Sequence, residues 1–414
     1  MNRREVKRAP VLRFKGFTND WEQRTLKKLG FFYKGKGYTK KDLINNGVPI
    51  LLYGELYTHY SEKISNTRLH SKLLLHSIFS AGNEVVLPDS GETSTDIARA
   101  SWISNSGIIL AGGLIIIKPN EYIFPGFLAY SLTYGENHKL LASRAQGKSI
   151  VHIHVNDLKT LNIIYPENLK EQQRIFALLE KLNKCIALQQ RKLELLKLFK
   201  IGMLQNILAD TKAASKLKFK GSNQEWRPRR LNSITNIITK GTTPHFKQAS
   251  NGVNFIKIED ISKDNGKIYP RSFITEKENN GYLKRSQLKA GDLLFSIAGT
   301  LGRVGKVTDD ILPANTNQAL AIIRLKPSQN IDFCKIMLES DSVKRYIHAN
   351  PTMGAQPNLS LKQISDLTLF FPDIKEQTLI SQLIKKIDNL LALQYQNISK
   401  FKQLKQFLLQ NIFI

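Results

Sequence analysis

Three short patterns in this sequence have residue types and spacings that could do chemistry. Ala142–Ser149 (ASRAQGKS) fits the relaxed phosphate-loop pattern of a small residue, four residues, then Gly-Lys-Ser. A working phosphate loop follows a buried strand and opens a helix, so that backbone N–H groups converge on the phosphates. Here the preceding HKLLASR reads as helix and strand-like IVHIHV follows. A basic turn is the better reading, and an ATPase the weaker one. His152 and His154 lie two apart in that strand pattern, hence on one face. Two imidazoles can begin a zinc site, but no other ligand cluster accompanies them, so a structural role or one beside nucleic acid is preferred. Gly299–Gly305 (GTLGRVG) has the wrong spacing for a dinucleotide fingerprint and reads as a glycine-rich strand–turn–strand loop. Cys185 and Cys334 cannot form a disulfide framework or a four-cysteine zinc site, and neither has a neighbouring histidine suggesting a nucleophile pair. A reducing cytoplasm fits that cysteine usage. No Asn/Asp-Pro-Pro-aromatic methyltransferase motif, nuclease motif or helicase motif is present.

What the composition favours instead is binding. The 414 residues include 61 Lys+Arg against 34 Asp+Glu, a net charge of +27. Such an excess argues for a polyanionic partner, nucleic acid before a membrane surface. With 42% hydrophobic and 23% charged residues, a packed core is expected rather than disorder. The longest apolar stretch, Gly107–Ile117, has 11 residues, whereas ~20 are needed to span a bilayer. The N-terminal MNRREVKRAP is basic without an apolar stretch behind it, so a loose basic tail is expected rather than a secretory signal.

The elements that must position any binding residues come in two copies. Leu12–Leu26 (LRFKGFTNDWEQRTL) matches Leu217–Leu231 (LKFKGSNQEWRPRRL), an offset of 217 − 12 = 205, with Trp21 falling on Trp226. Lys170–Ile175 matches Lys375–Ile380, and Met203–Leu208 matches Leu408–Phe413, at the same offset of 205. One offset kept across three separate segments establishes a duplication, and the period is too long for a solenoid. Each copy opens with a mixed segment. The apolar runs Gly47–Tyr53, Asn83–Pro88, Gly113–Pro119, Val253–Ile258 and Asp292–Ile297 read as buried strands, while FPGFLAYSLTYG and NIDFCKIMLESDSVKRYI read as helices.

Each copy closes with a helix. Apolar residues fall at Ile175, Leu179, Leu182, Ile186, Leu193, Leu196, Met203 and Ile207, and again at Ile380, Ile384, Ile387, Leu391, Ile398, Phe401, Leu408 and Ile412. Steps alternating between four and three make a heptad seam, and 40 residues would give a rod of ~60 Å. Gln189 and Gln394 occupy equivalent seam positions and could fix the register; exposure on the rim is the other reading. At Lys200 and Lys405 the favoured reading is a phase slip that puts Phe199 and Leu404 into the seam. Twofold packing of a duplicated chain makes the helix pair antiparallel. The expected fold class is α+β, with two pseudo-repeated α/β domains separated by two long antiparallel coiled-coil helices. The expected segments are a basic tail (1–11), first domain (12–166), first long helix (167–212), second domain (213–372) and second long helix (373–414).

This order resembles the specificity subunit of type I restriction-modification enzymes, over essentially the full length. The resemblance rests on the domain–helix–domain–helix order and the Trp…Leu segment opening each half. It rests also on the helix starts Pro166 to Gln172 and Pro372 to Gln377, and on Val85–Ala98 and Gly291–Val307, which look like target-recognition-domain segments of that family. It implies that each variable domain reads one half of a split double-stranded DNA site. It also implies that the helices space the domains and dock two methyltransferase subunits, that two motor-nuclease restriction subunits join them, and that the chain itself is not catalytic. No cofactor is then expected in this chain; S-adenosylmethionine, ATP and Mg belong to the partners. A cytoplasmic location is expected, and no membrane. The alternative is an assembly scaffold without specific DNA reading.

Base reading needs donors and acceptors held in fixed geometry: Arg or Lys for guanine, Asn or Gln for adenine, Glu or Asp for cytosine. The candidates in the first copy are Lys34, Lys36, Tyr38, Ser90, Glu92, Thr93, Ser94, Arg99 and Lys148. Those in the second are Lys240, Thr242, Thr243, Thr300, Arg303, Asn315, Asn317 and Gln318. The lysines are expected chiefly on phosphate, which positions without specifying.

Overall fold

The computed structural model describes residues 9–147, 150–208, 217, 225–245, 250–350 and 358–413. Lys148, most of the basic tail and residues 218–224 of the second Trp-containing segment lie outside them. The chain divides into two compact units, residues 1–190 with 396–414, and residues 191–395. The division cuts across the expected segments, because each long helix contributes a part to both units.

In the first unit the apolar runs become strands because they can be buried on both faces. Glu84–Pro88 is buried throughout and lies between Leu114–Pro119 and Ser101–Ile103. Gly30–Lys34 and Lys63–Ile64 complete this five-stranded sheet, antiparallel except for the pairing of Lys63–Ile64 with Ser101–Ile103. A second sheet has the order Leu69–Ser71, Leu43–Leu51, Ser106–Leu110, Phe79–Ala81. The helices Pro125–Thr133 and Gly135–Arg144 follow. Trp21, Phe127, Tyr130, Leu179, Ile412 and Phe413 share one core, so both long helices contribute to it.

The second unit repeats the plan. Leu320–Leu325 lies between Thr235–Lys240 and Leu293–Ser296, with Val304–Lys306 beyond, all antiparallel. Val253–Ile256 pairs parallel with Ala314–Thr316 and antiparallel with Phe273–Ile274. Two helices, Ile331–Leu338 and Asp341–Ala349, occupy the segment read as helical. Trp226 packs with Phe333, Ile207, Ile380 and Ile384.

The long helices are Leu169–Ile207 and Ile374–Ile412, 39 residues each. Their repeated start has a structural cause. The Asn168 and Asp373 side chains accept from the N–H groups of Lys170 and Glu376, capping the first turn. The Gln172 and Gln377 amides turn back onto the carbonyls of Pro166 (2.8 Å) and Pro372 (2.9 Å). Glu171 receives a two-pronged bond from Arg13 at 2.7 and 3.0 Å, which ties down the segment carrying Trp21. The Pro…Lys-Glu-Gln pattern therefore clamps a strand end to a helix start.

The pairing is antiparallel. In the first unit the start of the first helix (Ile175, Leu179) shares a core with the end of the second (Leu409, Ile412). In the second unit the end of the first (Ile207, with Met203) packs with the start of the second (Ile380, Ile384, Ile387). The apolar seam positions are buried or half-buried, Gln394 is 4% exposed and Gln189 is half-buried. The expected phase slip does not occur. Phe199 and Leu404 are 52% and 46% exposed, and the seam positions belong to Lys200 and Lys405.

These lysines stay in the seam because each finds an acid. Lys200 Nζ lies 2.6 Å from Asp388 on the opposite helix. Lys405 Nζ lies 2.8 Å from Glu62 of the first unit's domain. The position equivalent to Asp388 is 388 − 205 = 183, where the first copy has Asn183. The Asn183 amide donates to the second oxygen of Glu62 at 3.0 Å, and the Tyr134 hydroxyl donates to the first at 2.6 Å. One copy thus supplies the carboxylate from the helix; the other supplies it from the domain and holds it with a helix amide. Burial pushes the Glu62 carboxyl up, but the Lys405 charge and the bonds from Lys405 and Tyr134 outweigh it and leave the pKa below its ordinary value.

Candidate nucleic-acid interface

In both units the first strand of the main sheet ends at a Lys-Gly step, Lys34–Gly35 and Lys240–Gly241. A side chain on Gly35 would lie 1.9 Å from the Ala111 carbonyl oxygen, and one on Gly241 would lie 2.1 Å from that of Thr316. Only glycine permits that approach, so the residues after it are pressed against the crossing loop. This turn brings several candidates together.

In the second unit the Thr242 N–H donates to the Thr316 carbonyl at 3.1 Å, and the Thr243 hydroxyl donates to the Gln318 side-chain oxygen. Lys240, Thr243 and Gln318 are exposed, with Thr242 half-buried beside them. Three residues outside the expected set join the cluster. Arg285 donates from Nη2 to the Thr242 hydroxyl at 2.9 Å. The His245 and Tyr282 rings lie with centroids 3.8 Å apart. The sequence signal for Arg285 and Tyr282 was their basic-aromatic run, Tyr282–Arg285, but nothing in it pointed to Thr242, 43 residues away.

Asn315 is corrected from reader to support. It is 0% exposed, and its amide donates to Asn279 Oδ1 (2.9 Å) and the Leu283 carbonyl (3.0 Å). It therefore holds up the turn that carries Tyr282 and Arg285. Arg303 is also corrected: its Nη1 donates to the carbonyls of Ile258 (2.8 Å) and Ile261 (3.3 Å), because the glycine-rich turn points that side chain inward. Thr300 is exposed on the same turn, between Gly299 and Gly302, both at positive φ. The strand–turn–strand reading of this loop matches the antiparallel pairing of Leu293–Ser296 with Val304–Lys306. Asn317 is half-buried, and its Oδ1 accepts from the Ala319 N–H.

In the first unit Lys34 and Lys36 are exposed, and Lys34 lies 3.1 Å from Asp89. The Ser90 carbonyl accepts from the Tyr57 hydroxyl at 2.6 Å, and Ser90 pairs with His152 across a short antiparallel bridge. Tyr38 is corrected in the same way as Asn315. It is buried at φ 61°, with its hydroxyl bonded to Ser77 Oγ and to the Leu74 N–H. Its role is to fix the loop whose Leu73 and Leu75 project at 62% and 88% exposure, beside exposed Lys72 and His76. Thr93 caps the short helix Ser94–Ile97 by accepting from Asp96 N–H, which accounts for Thr93 and Ser94 locally; Glu92 is exposed. Arg99 pairs with Asp96 and lines a cavity of about 850 Å³ with Tyr134 and Lys405.

The phosphate-loop and histidine patterns fold into ordinary local structure. Gly135–Arg144 is helical, so no buried strand precedes the Gly-Lys-Ser run, whose Lys148 and Ser149 lie outside the described residues. His152 and His154 do not share a strand face: the strand is Val151–His152, and His154 caps the helix Val155–Lys159. Among the described residues no group of three His, Cys, Asp or Glu side chains could hold a metal ion. Burial pushes the Cys334 thiol up to about 12. Among the described residues no helix is long and apolar enough to cross a membrane.

The sequence family described as Type I restriction modification DNA specificity domain matches this chain twice, over residues 18–198 and 223–403. The chain belongs to that family. The two matches start 223 − 18 = 205 residues apart, the repeat offset. The type I restriction enzyme MjaVIII specificity subunit of Methanocaldococcus jannaschii is 23% identical over 78% of this chain and 76% of its own length. The EcoBI specificity subunit of Escherichia coli is 26% identical over 41% of this chain and 35% of its own. The crystal structure of the S subunit of a type I restriction-modification system from M. genitalium superposes with a TM-score of 0.61 at 15% identity, covering 98% of this chain and 99% of that one. At that identity the likeness shows the fold. As a specificity-family member, the chain is a type I restriction-modification component with two recognition domains.

Proposed function

We propose that this chain reads a bipartite double-stranded DNA site, one unit per half, as the non-catalytic specificity subunit of a type I complex. The observation that carries the reading is the polar cluster at the Lys-Gly turn of the second unit, with the same turn and its exposed lysines in the first, set on a chain of net charge +27. In the second unit the cluster contains Thr243 bonded to Gln318 and Arg285 bonded to Thr242, polar groups fixed in direction before any ligand arrives. Base edges are read by such fixed groups, and the exposed lysines around them suit phosphates. The two clusters differ in residue type, so two different half-sites follow.

Two methyltransferase subunits and two motor-nuclease subunits assemble with the chain, and they supply S-adenosylmethionine, ATP and Mg. Support comes from the long helices, which expose large apolar side chains off their seam: Leu188, Leu195 and Leu198 on the first, Leu393, Leu404 and Phe407 on the second. Exposed apolar patches of this kind mark protein contacts. The test of the reading is a DNA-binding titration of the assembled methyltransferase complex. Six to ten neutralised phosphates lower affinity by ~10³–10⁵ between 50 and 200 mM salt, with specific sites retained over random DNA. Assembly of the partners without sequence-dependent retention of DNA would return the chain to a scaffold.

A further inference from the structure

We propose that Arg285 reads a guanine in the half-site of the second unit; this rests on that unit's assignment as a DNA-recognition domain. Three other arginines of the unit are turned toward the protein itself. Arg324 makes a two-pronged bond to Asp292 at 2.7 Å on each side. Arg303 is spent on two backbone carbonyls, and Arg271 faces Asp260 at 4.0 Å. Arg285 is exposed and has a neutral partner, the Thr242 hydroxyl at 2.9 Å. A guanidinium has five N–H donors in a rigid fork, so the bond from Nη2 holds one donor toward the turn and leaves others for a ligand. Two acceptors at the spacing of guanine O6 and N7 complement two such donors.

The backbone beneath is anchored too. Arg285 sits in a single 3₁₀ turn, Lys284–Ser286, flanked by Leu283 and Ser286, both 0% exposed. The Ser286 hydroxyl donates to the Leu283 carbonyl at 3.1 Å, and buried Asn315 donates to the same carbonyl at 3.0 Å. Gln287 bonds the Asn279 carbonyl at 2.9 Å, closing the turn from the other side. A phosphate contact needs charge alone, and a mobile lysine serves it. Anchoring the backbone and one donor of an arginine without neutralising its charge favours direction, which is what base reading requires.

The experiment maps methylated sites for the complex of this chain with its methyltransferase partner, comparing wild type with Arg285→Gln and Arg285→Lys. Arg285 is exposed, so both variants keep the fold, which thermal melting checks. The half-site belonging to the second unit is the one left unchanged when residues 30–166 are exchanged for those of a relative. Wild type is expected to require a G·C pair there. Arg285→Gln is expected to relax that one position, with discrimination against the other base pairs falling about 10- to 100-fold. Arg285→Lys is expected to relax it less, because lysine keeps the charge and loses the fork. The proposal is overturned if that half-site contains no G·C pair. It is overturned equally if Arg285→Gln methylates the same sites with uniformly weaker binding and a salt slope reduced by about one, the signature of a phosphate contact. A wild-type complex without any sequence preference would instead overturn the recognition reading itself.

Discussion

At the scale of single residues, type and loop position located some of the cluster. The shared loop position of Lys240, Thr242, Thr243 and Gln318 was legible because polar residues beside a Lys-Gly step between strands face outward. Asn315 and Tyr38 were misread because residue type does not encode side-chain direction: Tyr38 lies between exposed neighbours and Asn315 in a short buried strand, and both point inward. Asn315→Ala removes two of the bonds that hold the Asn279–Leu283 turn, those to Asn279 Oδ1 and to the Leu283 carbonyl, and leaves that carbonyl with Ser286 alone. The expected cost is about 1–3 kcal/mol. Its second consequence is loss of discrimination confined to the second half-site, read by chemical denaturation and methylation mapping of the one variant. Glu62 makes a prediction about pH. Its folded pKa is below the ordinary value, so its stabilisation is fully present above the unfolded carboxyl pKa of ~4.3 and is lost as pH falls through the lower folded value. Glu62→Gln leaves Lys405 without its carboxylate and is expected to cost about 3–5 kcal/mol at pH 7. The gap between wild-type and variant urea midpoints should close progressively below about pH 4; a gap independent of pH would remove the ionised pair from the account.

At the scale of elements, the strands were legible as apolar runs that burial on both faces demands, the two long helices from a seven-residue period, and their antiparallel sense from the duplication. The strand-like reading of 150–155 failed because six residues are too few to separate an apolar strand from a short strand leading into a capped helix turn. The phase of the seam at Lys200 and Lys405 failed for a different reason. A lysine in a seam reads as an interruption until its acid is known, and the acids lie 188 and 343 residues away. Their different placement in the two units gives a rescue experiment. Asn183→Asp added to Glu62→Gln moves the carboxylate from the domain to the helix, the arrangement that Asp388 has with Lys200. The double variant is expected to recover at least half of the stability lost in Glu62→Gln. Additive or worse destabilisation would show that the two seams are not interchangeable in this respect.

At the scale of the whole molecule, the duplication was legible from one constant offset, and the family match repeats it. The side chains that make the two clusters different were not, because the segments between the matched ends share no alignment from which their pairing could be read. The central claim is that each half of the duplicated chain carries one half of the recognition. It is tested most directly by methylation mapping of a complex in which residues 30–166 are exchanged for those of another family member. The account predicts that one half-site changes to that of the donor, while the other half-site and the gap between them stay as in wild type. A change in both half-sites, or in neither, would contradict it.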